Sequence, residues 1–200
     1  MSSLTPTLET IRLALMTLFY ADRTEQVDAW CTTLLEAAPE RNIPTWDALL
    51  SSLRAANLIR QGRLLEAERH SGLALSRISS RGWGLSIGLP LATSVYALTA
   101  MGRYDEARAR LGRPVPEAVF QTLFGQHYLY ARGQFHLATG RLQAALGDFL
   151  ACGKALESWG ARSSRGAPGG GGPAAPGRAG PVSSMTISWA RAITPSPHHR

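Results

Sequence analysis

A glycine followed by arginine recurs at a nearly constant interval, and this repeat constrains the fold more than any other feature of the sequence. The stretch "QGRLLEAERHSGLAL" begins at Gln61, "MGRYDEARARLG" at Met101 and "TGRLQAALGDFLACGKAL" at Thr139, which places Gly62, Gly102 and Gly140 at intervals of 40 and 38 residues. A fourth and weaker copy, "ADRTEQVDAWCTTLLEAA", has Asp22 in the glycine position, again 40 residues earlier. Self-similarity at such a period indicates a repeat architecture.

Each copy predicts a helical hairpin. Glycine ends one helix because it adopts the left-handed backbone conformation that follows a helix C-terminus. The next helix begins at once and presents a small residue, Ala67, Ala107 or Ala145, at the point where the two backbones must approach closely. Apolar residues recur at three- and four-residue spacing on both sides of each turn, as they do on the buried stripe of an amphipathic helix.

The pattern therefore predicts an all-α fold of about four antiparallel helix pairs. We expect the helices near residues 7–20 with 24–38, 45–60 with 64–78, 85–101 with 104–112, and 117–138 with 142–159. A single pair cannot bury its apolar face alone, so the pairs are expected to stack into a solenoid. Residues 1–160 are predicted to form this helical-repeat domain.

The hairpins resemble the tetratricopeptide repeat. "GRYDEA", from Gly102 to Ala107, is similar to the turn that opens the second helix of that repeat, and Gly133 lies where the family places a glycine in its first helix. Phe149 and Cys152 lie at the later aromatic and small positions. The interval is longer than is usual for the family, so these are long and degenerate copies.

A more specific resemblance covers residues 81–160. The segments "GLPLA", "ALTAMGRYDEA", "GQHYLYARG", "HLATGR" and "ALGDFLACG", in this order, resemble the helical-repeat region of the large, ATP-binding, MalT-like class of LuxR-type transcriptional regulators. Residues 1–80 match that region more loosely. The resemblance implies a three-part protein, in which a P-loop ATPase acts as a switch, helical repeats bind effectors or partners, and a helix-turn-helix domain binds DNA.

Only the middle part of such a regulator is visible in this sequence. The sole lysine, Lys154, lies in "GDFLACGKA", where five residues separate the glycines and Ala155 replaces the hydroxyl residue of a P-loop. No segment reads as a recognition helix. His127 and His136 are nine residues apart, which does not put two metal ligands on one helix face. We therefore expect no cofactor, no metal, no enzymatic activity and no direct binding of nucleic acid.

The composition changes after Gly160. Residues 161–200 contain seven glycines, six prolines and five of the 21 basic residues, but none of the 14 acidic ones. Such a segment cannot bury enough apolar area to become ordered, which predicts a disordered low-complexity tail. The alternative is a shifted reading frame in GC-rich DNA. The break in the resemblance inside one helix, and not between helices, favours the shifted frame.

The densest aromatic segment supplies the candidate contact residues. Phe120, Phe124 and Tyr128 share one helix face, and packing in the core is the simplest interpretation of that spacing. If aromatic side chains of this segment are exposed, Tyr128, Tyr130 and Arg132 are the candidates for a partner or ligand surface, because Tyr and Arg are typical contact anchors. Cys31 and Cys152 lie within apolar helical patterns and are expected to be buried thiols.

Two functions follow as hypotheses. The first is an effector- or partner-binding helical-repeat fragment of a LuxR-type regulator, without its ATPase or DNA-binding domain. The alternative is an autonomous tetratricopeptide-like adaptor that joins proteins. We expect a cytoplasmic protein, because the apolar run at residues 13–21 lacks the basic start and the cleavage site of a signal peptide and no stretch is long enough to span a membrane.

Overall fold

The structure, a computed structural model, describes residues 8–37 and 43–165 and is all-helical within them. This confirms the predicted fold class at the level of secondary structure. Eight longer helices follow one another: α1 Leu8–Tyr20, α2 Thr24–Glu36, α3 Pro44–Arg60, α4 Leu64–Arg77, α5 Gly88–Ala100, α6 Tyr104–Leu111, α7 Leu123–Ala138 and α8 Leu142–Arg165. Three short helical segments, Ser80–Trp83, Gly84–Ile87 and Glu117–Gln121, precede α5 and α7.

Most predicted boundaries are close to the observed ones, and the differences have local causes. Helix α5 begins at Gly88 and not near residue 85, because Gly84–Ile87 forms a separate turn of 3₁₀ helix. The helix predicted to start at 117 is interrupted at Thr122, whose hydroxyl accepts a hydrogen bond from the Gly125 amide at 3.2 Å and caps α7. Helix α8 continues past the predicted end at 159 to Arg165, into the first residues of the predicted tail. The rest of that tail, residues 166–200, lies outside the described residues.

The four turns at the predicted repeat positions have the same backbone conformation. Gly62, Gly102 and Gly140 have φ values of 73°, 75° and 73°. Asp22, at the glycine position of the fourth copy, has φ 60° and is the one non-glycine residue with positive φ among those the structure describes. The prediction that these glycines serve as left-handed helix ends is confirmed.

Each turn is closed by the same hydrogen bond. The amide of the arginine that follows the turn residue donates to the carbonyl five residues earlier, at 2.8–3.0 Å; the pairs are Arg23 with Leu18, Arg63 with Leu58, Arg103 with Leu98, and Arg141 with His136. This bond satisfies a carbonyl at the end of the first helix, as in a Schellman motif. The second helix then begins within one residue, so the two helices of a pair run antiparallel.

The small residues of the second helices lie at the interface of each pair. Ala67, Ala107 and Ala145 are all buried, as predicted, and Val27 is buried at the corresponding position of the first pair. Gly133 of α7 makes a still closer contact, because a Cβ atom placed there would lie 2.6 Å from the Phe149 ring of α8. The sequence resemblance had paired these two positions with the first-helix glycine and the later aromatic residue of the tetratricopeptide repeat.

The most extensive contacts between pairs follow the chain order. The first helices of successive pairs contact one another, α1 with α3, α3 with α5, and α5 with α7. The second helix of each pair also contacts the first helix of the next pair. Two clusters of buried apolar side chains result, and Tyr96 and Met101 pack against both. The core is therefore continuous from the first pair to the last.

The stretch Ser80–Ala100 is long and apolar enough to cross a membrane by length and composition, contrary to the expectation from the sequence. However, 72 % of its most apolar window is buried inside the fold. Such burial is typical of the core helix of a soluble protein.

Candidate functional site

The three residues predicted as a contact surface do not share an exposed face. Tyr128 is only 3 % exposed and belongs to the second core cluster, with its ring centroid 6.2 Å from that of Phe120. Tyr130 is half-buried on another side of α7, where its ring lies 5.7 Å from Phe149. Packing in the core, the simpler interpretation of this aromatic segment, is therefore correct for Tyr128.

Arg132 is held in an ion pair between α7 and α8. Its Nε lies 3.1 and 3.0 Å from the two carboxylate oxygens of Asp148, and its Nη2 lies 2.6 Å from Oδ1. His136 contacts the same carboxylate, with Nδ1 3.1 Å from Oδ2. The hydrogen bonds to Asp148 raise the pKa of Arg132. The Asp148 side chain is 8 % exposed, and its contacts with Arg132 and His136 connect α8 to α7. Because Arg132 is held in this ion pair, it has little freedom to bind a partner.

A polar contact joins the first pair to the last. The Tyr20 hydroxyl lies 3.3 Å from His127 Nε2, across a separation of 107 residues in the chain. Burial, with a smaller contribution from the Arg60 guanidinium, lowers the pKa of His127 to about 3. His127 is therefore neutral at physiological pH.

Arg60 lies beside this contact and is almost fully buried. Its Nη1 donates to the Phe19 carbonyl and to Asp22 Oδ1, the latter at 3.1 Å, and its guanidinium lies 3.9 Å from the centre of the Phe19 ring. Burial lowers the pKa of Arg60. The left-handed Asp22 of the first turn therefore also neutralises a buried cation from α3.

The last helix presents an apolar face to solvent. Leu142, Leu146 and Leu150 are spaced by four residues along α8 and are 63, 53 and 53 % exposed. They lie on the side of α8 opposite Ala145, Asp148 and Cys152, which are buried against α7. The three leucines form a row of exposed apolar side chains along one side of α8.

At the position of Leu146 the first two pairs contact the next pair, whereas in the third pair Tyr104 and Arg108, which correspond to Leu142 and Leu146, are exposed. Counted from the turn residue, Leu146 corresponds to Asp28 of α2 and to Glu68 of α4. Asp28 pairs with Arg54 of the second helix pair at 3.2 Å, and Glu68 pairs with Arg110 of the third at 3.3 Å. Leu146 of α8 thus occupies the position at which α2 and α4 form an ion pair with the next helix pair.

Two recesses lie between the helix pairs. A groove of about 310 Å³ between α2, α3 and α4 is lined by charged residues of both signs, among them Asp47, Arg54, His70 and Arg77. A smaller cavity lies between α1, α3, the Ser80–Ile87 segment and the start of α7, with mainly apolar walls. Neither recess was visible in the sequence, because its walls come from helices that are far apart in the chain.

The two cysteines are buried and free, as predicted. Burial raises the pKa of Cys31 to about 12 and that of Cys152 to about 11, so both remain protonated and unreactive. No group of three or more His, Cys, Asp and Glu side chains suited to a metal ion is found in the part of the chain that the structure describes.

Comparison with known proteins adds no identification: no protein-family model, curated protein or solved structure matches this chain.

Proposed function

We propose that the chain is a helical-repeat binding module, four stacked helix pairs of a tetratricopeptide-like solenoid, whose role is to bind an effector or a partner. The observation that carries this proposal is the exposed leucine face of α8, in which Leu146 lies at the position where α2 and α4 form ion pairs with the next helix pair. The four turns share a left-handed backbone conformation and lie 40 or 38 residues apart, which supports the repetition of one helix-pair unit. Stacked repeats form extended concave surfaces, which repeat proteins use for binding.

The resemblance of residues 81–160 to LuxR-type regulators gives the proposal its biological setting. In that setting the module is the effector- or partner-binding region of a cytoplasmic transcriptional regulator, and nucleotide hydrolysis and DNA reading belong to other domains. The leucine face would then pack against a further helix pair of the regulator. An autonomous adaptor would instead need a polar outer face on its last helix.

A charge-introducing variant tests the proposal. The double variant L146E/L150E removes the apolar face without changing the buried side of α8. We expect the unmodified chain to self-associate in sedimentation experiments and to bind a hydrophobic dye strongly, and the double variant to be monomeric with weak dye binding. L65E is the matched control, because Leu65 of α4 is 60 % exposed but does not belong to the face.

Three results would count against the proposal. A monodisperse, unmodified chain with weak dye binding would favour the autonomous adaptor. Equal effects of L65E and L146E/L150E would show that the face has no special role. Sequence-specific DNA binding that persists at high salt would contradict the assignment of DNA reading to another domain.

A further inference from the structure

The charged groove between the first two helix pairs is formed by one face of each of three helices. Both α2 and α4 pack against α3, which lies between them. Spacings of three and four positions place each set of lining residues on a single side of its helix. The sets of α3 and α4 are Asp47, Ser51 and Arg54, and His70, Leu73 and Arg77. With about 310 Å³, the groove is as large as a small-molecule site.

The relative direction of α2 and α3 determines which charges lie at which end of the groove. Asn57 of α3 donates to the Thr24 carbonyl of α2 at 2.8 Å, and Arg54 pairs with Asp28 at 3.2 Å. Because the numbers rise along α2 as they fall along α3, the two helices are antiparallel. The last turn of α2, with Glu36, therefore lies toward the start of α3, at the end of the groove opposite Arg54.

The end of the groove at the start of α3 is acidic. Asp47 and Glu36 both line it. Arg77 of α4 is near, but its Nε lies 3.9 Å from Asp47 Oδ2, which is too long for a hydrogen bond. The Arg77 side chain is also 54 % exposed, so this ion pair is weak. An ammonium group can therefore displace Arg77 from Asp47.

The other end of the groove offers hydrogen-bond donors. Arg54 donates to Asp28 through Nε, whereas its two Nη groups keep access to solvent and donate to no residue in the described ranges. Two such N–H groups form the fork that binds a carboxylate. Between the two ends, the Ser51 hydroxyl is accessible and makes no hydrogen bond to a described residue. It is therefore free to donate to a ligand.

The distance between the two ends selects the length of a ligand. The Asp47–Arg54 segment of α3 spans about 10 Å along the helix axis. An extended peptide rises about 3.3 Å per residue, so the charged ends of a tripeptide are about 10 Å apart.

We propose that this groove is the effector site and that it takes a tripeptide with both ends free. The amino group of the peptide lies at Asp47 and Glu36, and its carboxylate accepts from the Nη groups of Arg54. Ser51 donates to a peptide carbonyl between them, and Leu73, which is 48 % exposed, contacts the peptide side chains. This inference rests on the proposed binding function and names the chemical class of the effector.

Calorimetric titration of the full chain with trialanine at pH 7.5 tests the proposal. We expect saturable binding of one peptide per chain. N-acetyltrialanine and trialanine amide each lack one terminal charge and are expected to bind at least roughly tenfold more weakly. Alanine is too short to reach both ends and is expected to bind at least roughly tenfold more weakly for the same reason. 8-Aminooctanoate has a similar span but no peptide groups, and we expect it to bind several times more weakly.

Variants at the two ends assign each contact. D47N is expected to lower the penalty of acetylating the peptide, and R54Q that of amidating it. R77Q is expected to tighten trialanine binding severalfold, because it removes the cation that competes for Asp47. Arg77 is exposed, so R77Q tests the site even where R54Q disturbs folding. D105N and R81Q, which remove exposed charges outside the groove, are the matched controls and are expected to leave binding unchanged.

The proposal is overturned if trialanine gives no saturable heat of binding. It is also overturned if 8-aminooctanoate or trialanine amide binds as tightly as trialanine, or if R77Q weakens binding. Any of these results, together with the expected behaviour of L146E/L150E, would remove the effector site and leave the proposed binding module intact.

Discussion

The left-handed turn residues are the positions at which single amino acids determine the course of this chain. Gly102 has φ 75° and open space around its Cα, so an added Cβ meets no neighbour and a substitution acts on the backbone alone. Gly147 of α8 also has open space but lacks the positive φ. An alanine side chain at either position therefore meets no neighbouring atom. The difference between the two substitutions reports on the backbone conformation alone.

We predict opposite effects of alanine at these two positions. G102A should lower the free energy of unfolding by about 1–2 kcal/mol, because a side chain disfavours the left-handed conformation. G147A should raise it by up to about 1 kcal/mol, because alanine is the better helix former. Urea unfolding of both variants is the measurement, and equal shifts in the same direction would contradict the role assigned to Gly102.

His127 makes stability depend on pH. Its pKa is about 3 in the folded chain, because it is buried and Arg60 lies near, against about 6.5 when the chain is unfolded. The unfolded state therefore binds more protons between these values, and stability falls as the pH falls below 6.5. At pH 5 the loss from this residue is about 2 kcal/mol.

Urea unfolding at pH 7.5 and at pH 5 measures this pH dependence. We expect the free energy of unfolding of the unmodified chain to fall at pH 5, and that of H127Q to fall much less. Tyr20, which faces His127, stays neutral over this range because burial raises its pKa. His70, whose pKa is also lowered, mainly by burial, contributes in the same direction, so H70Q serves as the comparison. An unchanged pH slope in H127Q would contradict the assignment.

At the scale of the helices, the contact between Gly133 and Phe149 sets how closely α7 and α8 approach. A methyl group at residue 133 would lie 2.6 Å from the Phe149 ring, so the helices must separate or the ring must move. We predict that G133A lowers the free energy of unfolding by about 1–3 kcal/mol. In G133A/F149L the smaller side chain should recover part of that loss, whereas strictly additive effects in unfolding experiments would refute the contact.

The helices themselves were largely predictable, because their ends are fixed by local chemistry. Glycine or aspartate in the left-handed conformation, followed by arginine, placed every hairpin turn correctly. The interruption at Thr122 and the turns around Trp83 were missed, since each depends on a capping serine or threonine within an apolar stretch. Asp148 was also missed as the partner of Arg132, because 16 residues and a turn separate them and no periodicity links the two.

At the scale of the whole molecule, the features that suggest function come from residues far apart in the chain. Tyr20 meets His127 across the fold, and the residues that line the small cavity range from Arg12 to Phe124 in the chain. Such contacts depend on how the helix pairs pack against one another, and this packing cannot be derived from a single sequence. The apolar character of α8 was visible in its sequence, but which of its leucines are exposed was not.

If the helix pairs stack as proposed, α8 lies at one end of the stack, and the residues that the structure describes cover it on one side only. Helix α5 packs against α3, α4, α6 and α7, whereas α8 packs chiefly against α7. Amide hydrogen exchange measures this difference directly. We predict that amides in the middle of α8 exchange at least roughly tenfold faster than those in the middle of α5, because an end pair opens locally. Equal protection of the two helices would contradict the claim, since it would indicate one cooperative core with no open end.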